Sequence, residues 1–245
     1  MTINVLEKTF AVLEQMADIG TPVPLKRLTE LTGLPKGTLF RILQTLQKLG
    51  YIEQDGKNTE YYLTPNLLHL GRSVHYGDFK ELALPLMESL HSEFNETVNL
   101  GVLQGLNIYY VHVLETTRAL RWQVKPELKD SFFTTALGRS IVAYLPDEEA
   151  DALTSRVVFK KRTPNTISSA KELKRELLLT RKRGWALDSE ENDLGVVCIG
   201  APILREGRPI AGISLSIPKS RLTASLKKAI IKSILRTVAG PAKAA

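Results

Sequence analysis

Apolar residues recur at the spacing of one helical face in Leu39, Ile42, Leu43, Leu46 and Leu49. The intervening polar positions are Lys36, Thr38, Arg41, Gln44, Thr45 and Lys48, and the stretch carries no acid. Pro35 opens it and Gly50 follows it, the residues that helix ends favour. Just upstream, Leu25, Leu28 and Leu31 predict the inner face of a shorter helix. Thr32-Gly33-Leu34 predicts a tight turn, with Gly33 in the left-handed backbone that ends a helix. Two helices so closely joined predict a helix-turn-helix, whose second helix reads a DNA groove. Residues 51–54 and 61–64 are short strand-like runs around a polar loop opened by Asp55-Gly56. A hairpin in that place is a wing. Ahead of all this, Val5, Leu6, Phe10, Leu13 and Met16 predict the inner face of a first helix, with Val12 at its margin. In a winged helix this element packs behind the other two and often forms dimer surface.

A second pattern starts after residue 64. Residues 66–72 predict a short helix with an apolar stripe, broken at Gly77-Asp78. The expected organisation is a DNA-binding domain over 1–64, a linker helix over 65–77 and a second domain over 78–240. Phe79, Leu82, Leu86 and Leu90 then mark a helix that Pro85 should bend. Residues 97–103, 107–114 and 119–124 are rich in β-branched and aromatic side chains and predict strands. Helices are expected over 136–145, 147–156 and 168–183, strands over 185–188, 195–204 and 208–217, and a last helix over 221–238. For the third of these helices Ser169 stands at the capping distance from Glu172, with Ser168 also near it. This order predicts an α+β domain with a mostly antiparallel sheet.

Composition narrows the class. Of 245 residues 43% are hydrophobic and 24% charged, the profile of a soluble globular protein. No signal segment or membrane-length apolar run is present, and a cytoplasmic setting is expected. One cysteine excludes an internal disulfide, and His69, His75, His91 and His112 lack metal-ligand spacing, so no metal or cofactor is expected. The net charge of +7 is unevenly placed. Residues 1–76 carry eight Lys/Arg against seven Asp/Glu, whereas 156–184 carry ten against two and 219–245 seven against none. The case for DNA therefore rests on where the bases sit on the helix, not on global charge. A solvated helix face is the expected role of the basic tail.

Thr38 and Arg41 are the first candidates for base contacts, with Lys36, Gln44 and Thr45 beside them. Arg27, Gly37 and Phe40 belong to the same DNA-facing set, and Lys57 and Asn58 on the wing suit phosphate or minor groove. In the second domain Ser214 and Ser216 alternate with Ile213, Leu215 and Ile217, so both hydroxyls face one side of the sheet. The small residues Ala136-Leu137-Gly138 at a helix start expose backbone N–H groups, or simply permit close packing. Together the hydroxyls and N–H groups could hold a carboxylate.

From end to end the chain resembles the IclR family of bacterial transcription regulators. Four stretches carry the resemblance. They are residues 32–43 with Gly50-Tyr51-Ile52; Tyr62-Leu63-Thr64 with Leu70-Gly71; Thr135-Ala136-Leu137-Gly138-Arg139 running on to Pro146; and Arg183-Gly184-Trp185-Ala186-Leu187-Asp188 with Glu191, Cys198-Ile199-Gly200-Ala201-Pro202-Ile203 and Gly212-Ile213-Ser214-Leu215-Ser216. The resemblance implies a winged helix-turn-helix, a linker helix and a GAF-like effector domain. It implies a homodimer or a dimer of dimers on a palindromic operator, with a small organic acid, aromatic or hydroxylated among the options, as effector. Its pocket would be lined by Trp122, Ala136, Leu137, Gly138, Asp188, Cys198, Ser214 and Ser216. Asp188 would repel an anion unless it is protonated or accepts from a ligand hydroxyl. Gly37 replaces the serine usual there, which removes at most one phosphate contact.

Two other readings fit parts of the sequence. One is a DNA-binding protein whose second domain serves only oligomerisation. The other is an enzyme with a DNA-binding adaptor, which needs a base beside a nucleophile. Cys198, Ser214 and Ser216 have no histidine in their own stretches.

Overall fold

The structure, a computed structural model, describes residues 4–56, 59–71, 79–121 and 129–239. The chain divides into two compact units, Met1–His75 and Tyr76–Ala245.

In the first unit, α1 (Asn4–Ile19), β1 (Val23–Pro24), α2 (Leu25–Thr32) and α3 (Lys36–Lys48) precede β2 (Ile52–Gln54), β3 (Glu60–Leu63) and α4 (Asn66–Gly71). Gly33 caps α2 at φ 64°, and its N–H bonds Thr29 O. β2 and β3 pair antiparallel, as a wing requires. β1, too short to be read from the sequence, adds a third strand on β3 through Val23 and Pro24. Leu28, Leu39, Ile42, Leu43, Leu46 and Ile52 are buried together with Val12, Met16 and Val23.

Three expectations about inner faces need correction. On α1 the buried residues are Val12 and Met16, while Val5, Leu6 and Phe10 are 51–62% exposed. The face that α2 and α3 cover runs through Val12, expected only at the margin, and Met16. Leu49 is 60% exposed because it caps α3 after the last helical turn. Leu31 at the end of α2 is also exposed.

The second unit has α5 (Phe79–Phe94), β4 (Thr97–Gln104), β5 (Asn107–Leu114), β6 (Lys129–Ser131), α6 (Ala136–Val142) and α7 (Asp147–Ser155). α8 (Ala170–Arg183), β7 (Ala186–Ser189), β8 (Val196–Arg205), β9 (Arg208–Pro218) and α9 (Ala224–Ala239) complete it. Six strands form one antiparallel sheet in the order β6-β5-β4-β9-β8-β7. The two central strands come from distant parts of the chain, so β4 pairs with β9 across more than a hundred residues.

The sheet separates two apolar layers. Val98, Leu100, Ile199, Ala201, Ile213, Leu215 and Ile217 pack against Ala83, Met87 and Leu90 of α5 and Ile230 and Ile234 of α9. On α5 the buried stripe therefore includes Ala83 and Met87, with Leu82 and Leu86 only partly covered. Leu137, Ile141 and Val142 of α6 form a second cluster with Phe132, Phe133 and residues of α8. The strand expected over 119–124 is absent at 119–121, and the remainder lies outside the described residues. Ser169, not Ser168, caps α8 by accepting from the Glu172 N–H at 3.3 Å. The Glu172 carboxylate returns to the Ser168 N–H at 2.9 Å.

What positions the site is how low α6 sits on the sheet. A Cβ on Gly200 would lie 2.9 Å from the carbonyl carbon and oxygen of Ala136. On β9, Gly212, opposite Pro202, would bring a Cβ within 3.1 Å of Leu137. Any side chain at these points would lift the helix off the strands.

Candidate effector cavity and DNA-reading helix

Lys36, Gly37, Phe40, Arg41, Gln44 and Thr45 are exposed on α3, and Thr38 is half-buried at its first turn. They form one face, opposite the buried Leu39, Ile42, Leu43 and Leu46. Phe40 is 41% exposed, which gives an apolar surface of the kind that packs against a thymine methyl group. The Thr45 hydroxyl bonds back to Arg41 O at 2.8 Å, so its donor serves the helix itself. Arg27 on α2 is exposed and pairs with Glu30 at 3.3 Å. The two wing candidates, Lys57 and Asn58, lie outside the described residues.

In the second unit one cavity lies between the sheet and the start of α6. Its walls include Ala136, Leu137, Asp188, Cys198, Ser214 and Ser216, six of the eight residues singled out from the sequence. Strand register brings them together: Asp188 is opposite Cys198, Cys198 is opposite Ser216, and Ser214 is opposite Asn99. Directly opposed residues of an antiparallel pair project to the same face. Gly138 is not part of the lining. Its missing Cβ would stand 2.4 Å from Phe132 Cα, so glycine there serves close packing. Trp122 lies outside the described residues.

Sequence reasoning missed Asn99, Tyr110, Thr135, Asn192, Asp193 and Val196, which complete the wall. A signal for Asn99 was present: Thr97 and Asn99 alternate with Val98 and Leu100, the same pattern that singled out Ser214 and Ser216. Asn192 and Asp193 sit in a loop, where periodicity says nothing.

The polar groups are tightly ordered. Asn99 Nδ2 donates to Ser216 Oγ at 2.9 Å, and Ser216 Oγ is 3.3 Å from Cys198 Sγ. Tyr110 donates its phenol to Asp130 Oδ2 at 3.1 Å, and Asp130 also pairs with Arg162 at 2.8 Å. Asp188 Oδ1 accepts the backbone N–H groups of Glu191 at 2.7 Å and Asn192 at 3.3 Å, fixing the loop that follows β7. Thr134 donates to Asn192 Oδ1 at 2.8 Å from the other side. Of the N–H groups expected to be free at the start of α6, that of Gly138 is already taken by Thr135 Oγ1 at 3.1 Å.

Electrostatically the cavity is acidic. Among the described residues its charged lining groups are Asp188 and Asp193. Asp188 is 2% exposed, and burial pushes its carboxyl up to about 7 against the opposing charge of Arg139. Burial also raises the Asp193 carboxyl, and it pushes the Cys198 thiol well above its usual range. Cys198 is therefore a thiol packed in a wall and not a ready thiolate. Behind the cavity the fully buried Arg139 joins Glu191, Phe133 O and Leu187 O. Among the described residues no group of three or more His, Cys, Asp or Glu side chains is placed to hold a metal ion. No described helix is long and apolar enough to cross a membrane.

Residues 71–241 match the family model described as the C-terminal domain of the bacterial transcriptional regulator IclR, and residues 5–56 match the IclR helix-turn-helix domain. The chain belongs to the IclR family of bacterial transcriptional regulators. Among its IclR-family relatives is the HTH-type transcriptional regulator KdgR of Dickeya chrysanthemi, 32% identical, with 95% of this chain and 76% of the relative covered. The crystal structure of the Thermotoga maritima IclR superposes with a TM-score of 0.67 at 26% identity, covering 97% of this chain and 98% of that one. An IclR homologue from Microbacterium hydrocarbonoxydans, crystallised with 4-hydroxybenzoate, shares the fold with a TM-score of 0.78 at 20% identity, covering 98% and 100%. This IclR-family chain is thus a DNA-binding transcriptional regulator, and α2 and α3 lie within its helix-turn-helix domain.

Proposed function

We propose that this regulator is controlled by a small organic acid bound in the cavity between α6 and the sheet. The observation that carries the reading is the convergence of Asn99, Asp188, Ser214 and Ser216 on one enclosed space under an apolar helix. An enclosed polar site with few, well-ordered groups is what a small-ligand pocket needs. The cavity has room for about one water. An organic acid enters only if the walls move. Binding is thereby coupled to a change of conformation, which is the requirement for signalling to the DNA-binding part.

In the first unit the proposed contacts are Thr38 and Arg41 on bases, with Lys36, Gln44 and Thr45 beside them, and Lys57 and Asn58 on the backbone or minor groove. Arg27, Gly37 and Phe40 complete that face. The proposed organisation is a winged helix over 1–64, a linker over 65–77 and an effector domain over 78–240. The exposed Val5, Leu6 and Phe10 on α1 support a homodimer formed through that helix, since a lone apolar stripe in water is costly. A two-fold dimer calls for a palindromic operator, with half-sites about one or more helical turns apart. Trp122 is retained as a proposed wall residue beside Ala136, Leu137, Cys198 and the serines.

Selection of random duplex DNA by the purified full-length protein tests this reading. The expected product is an inverted repeat whose binding changes when a small organic acid is added. Recovery of a repeat that no acid affects would instead favour a second domain that serves oligomerisation alone.

A further inference from the structure

Within α3, Phe40 is the only large apolar side chain that is exposed. The other apolar side chains of the helix, Leu39, Ile42, Leu43 and Leu46, are buried. Lys36 and Gly37 stand one turn before Phe40 on the same face, Gln44 one turn after it, and Arg41 beside it. Helical side chains lean toward the N-terminus, so the ring is directed at the turn of Lys36 and Gly37. Gly37 brings no side chain to that turn, and a Cβ built on it would meet nothing within 4 Å. The ring therefore stands beside open space on bare backbone, where a base edge can reach it.

An apolar ring among polar groups gains free energy when it is covered. A second copy of the helix is a poor cover. α3 has no acid, and Lys36, Arg41 and Lys48 would face their own kind. DNA is the complementary cover, since its phosphates match those cations. In the major groove the edges of guanine, adenine and cytosine present only donors and acceptors, which an apolar ring would leave unpaired. Thymine alone adds an apolar group, its 5-methyl.

We propose that each operator half-site carries a thymine whose 5-methyl packs on the Phe40 ring, so that Phe40 sets sequence specificity alongside Arg41. A 5-methylcytosine in that place presents the same methyl and is read in the same way. This contact rests on the reading of α3 as the helix that enters the groove.

The test uses the full-length protein and the inverted repeat that it selects from random duplexes. Each thymine of the half-site is replaced in turn by deoxyuridine, which removes the methyl and keeps the pairing edge. Fluorescence anisotropy reads the affinity. At one thymine the loss should be about fourfold per half-site, the effect of one buried methyl group. Phe40→Ala should bind the thymine and uracil duplexes alike, and Phe40→Leu, which keeps an apolar side chain, should keep the preference. At the same position 5-methylcytosine should bind more tightly than cytosine, a difference that Phe40→Ala also removes. Thermal midpoints confirm that both variants are folded, and the deoxyuridine series on the unaltered protein needs no variant. Indifference of every thymine to the loss of its methyl overturns the contact. A methyl preference that survives Phe40→Ala removes Phe40 as the reader. Either result leaves α3 in the groove as long as Arg41→Ala and Lys36→Ala weaken binding. If no repeat is recovered, or if Lys36→Ala, Phe40→Ala and Arg41→Ala all leave affinity unchanged, the reading of α3 itself fails along with the contact.

Discussion

The Arg139 guanidinium and the Glu191 carboxylate meet in a two-pronged ion pair, Nη1 to Oε2 at 2.6 Å and Nη2 to Oε1 at 2.8 Å. Arg139 is on α6 and fully buried, while Glu191 is in the loop after β7, one side of the cavity wall. The pair ties the helix to that loop. Burial works against the Arg139 charge, but its bonds to Glu191 outweigh this and raise its pKa above the usual value. Removing only the carboxylate leaves a buried cation with carbonyl partners but without its paired counter-charge. Glu191→Ala should therefore cost about 3–5 kcal/mol of unfolding free energy in urea. Replacing both members by apolar residues should cost much less. A cost below about 1 kcal/mol for the single change, the range of surface pairs, would show that water reaches Arg139.

Asp188 gives the stability of the effector domain a pH slope. An unfolded aspartate ionises near 3.8, whereas burial holds this one protonated up to about 7. Between those values the folded chain keeps a proton that the unfolded chain has lost. Stability from this group is full below about 4 and is lost as pH rises through about 7. The difference corresponds to roughly 4 kcal/mol at most. Asp188→Asn keeps an oxygen for the Glu191 and Asn192 N–H groups but cannot ionise. Its thermal midpoint should exceed that of the unaltered protein at pH 8 and match it near pH 4. Parallel midpoints across that range would place Asp188 in contact with water.

Anion binding should follow the same group with the same sign. A carboxylate ligand is repelled by ionised Asp188 and not by its neutral form. Affinity for an acid should weaken above pH 7, and Asp188→Asn should flatten that dependence in titrations at several pH values.

Two glycines should respond in opposite directions. Gly200→Ala places a Cβ 2.9 Å from Ala136 backbone atoms and should destabilise by about 1–3 kcal/mol. Gly37 lies in the first turn of α3 with nothing within 4 Å of an added Cβ. Gly37→Ala should be stabilising by up to about 1 kcal/mol, from helix propensity alone. Chemical denaturation measures both. A neutral Gly200→Ala would mean that α6 does not rest on β8.

On DNA, Arg41 and Lys36 should separate by kind of contact. Arg41→Ala should lose about 1–3 kcal/mol of discrimination between the selected operator and scrambled DNA. Lys36→Ala should weaken both equally and lower the salt slope by about one. Fluorescence anisotropy at two salt concentrations reads the two effects. Uniform weakening by Arg41→Ala would make it a phosphate contact.

Local chemistry made much of this legible. The Leu39–Leu46 stripe, the Gly33 turn and the strand alternation at Ser214 and Ser216 are properties of short windows. What was missed depends on distant partners. Val12 wins over Phe10 because of what packs on α1, and β1 exists only because β3 is beside it. Asn99 shows the same local alternation as Ser214, but that the two share one face follows only from their pairing, 115 positions apart by their residue numbers. Gly200, opposite Ser214, stands in a family motif, but its role under α6 depends on how the helix packs on the sheet.

The most direct test of the account is a thermal-shift titration of the full-length protein with small organic acids, run beside Ser214→Val and Asp188→Leu. An acid at about 100 times its dissociation constant should add near 2.7 kcal/mol to the stability of the unaltered protein. A raised midpoint is expected for at least one acid and for neither variant, both still folded. A midpoint that rises equally in all three proteins would show that the acid binds elsewhere, and would contradict the assignment of this cavity.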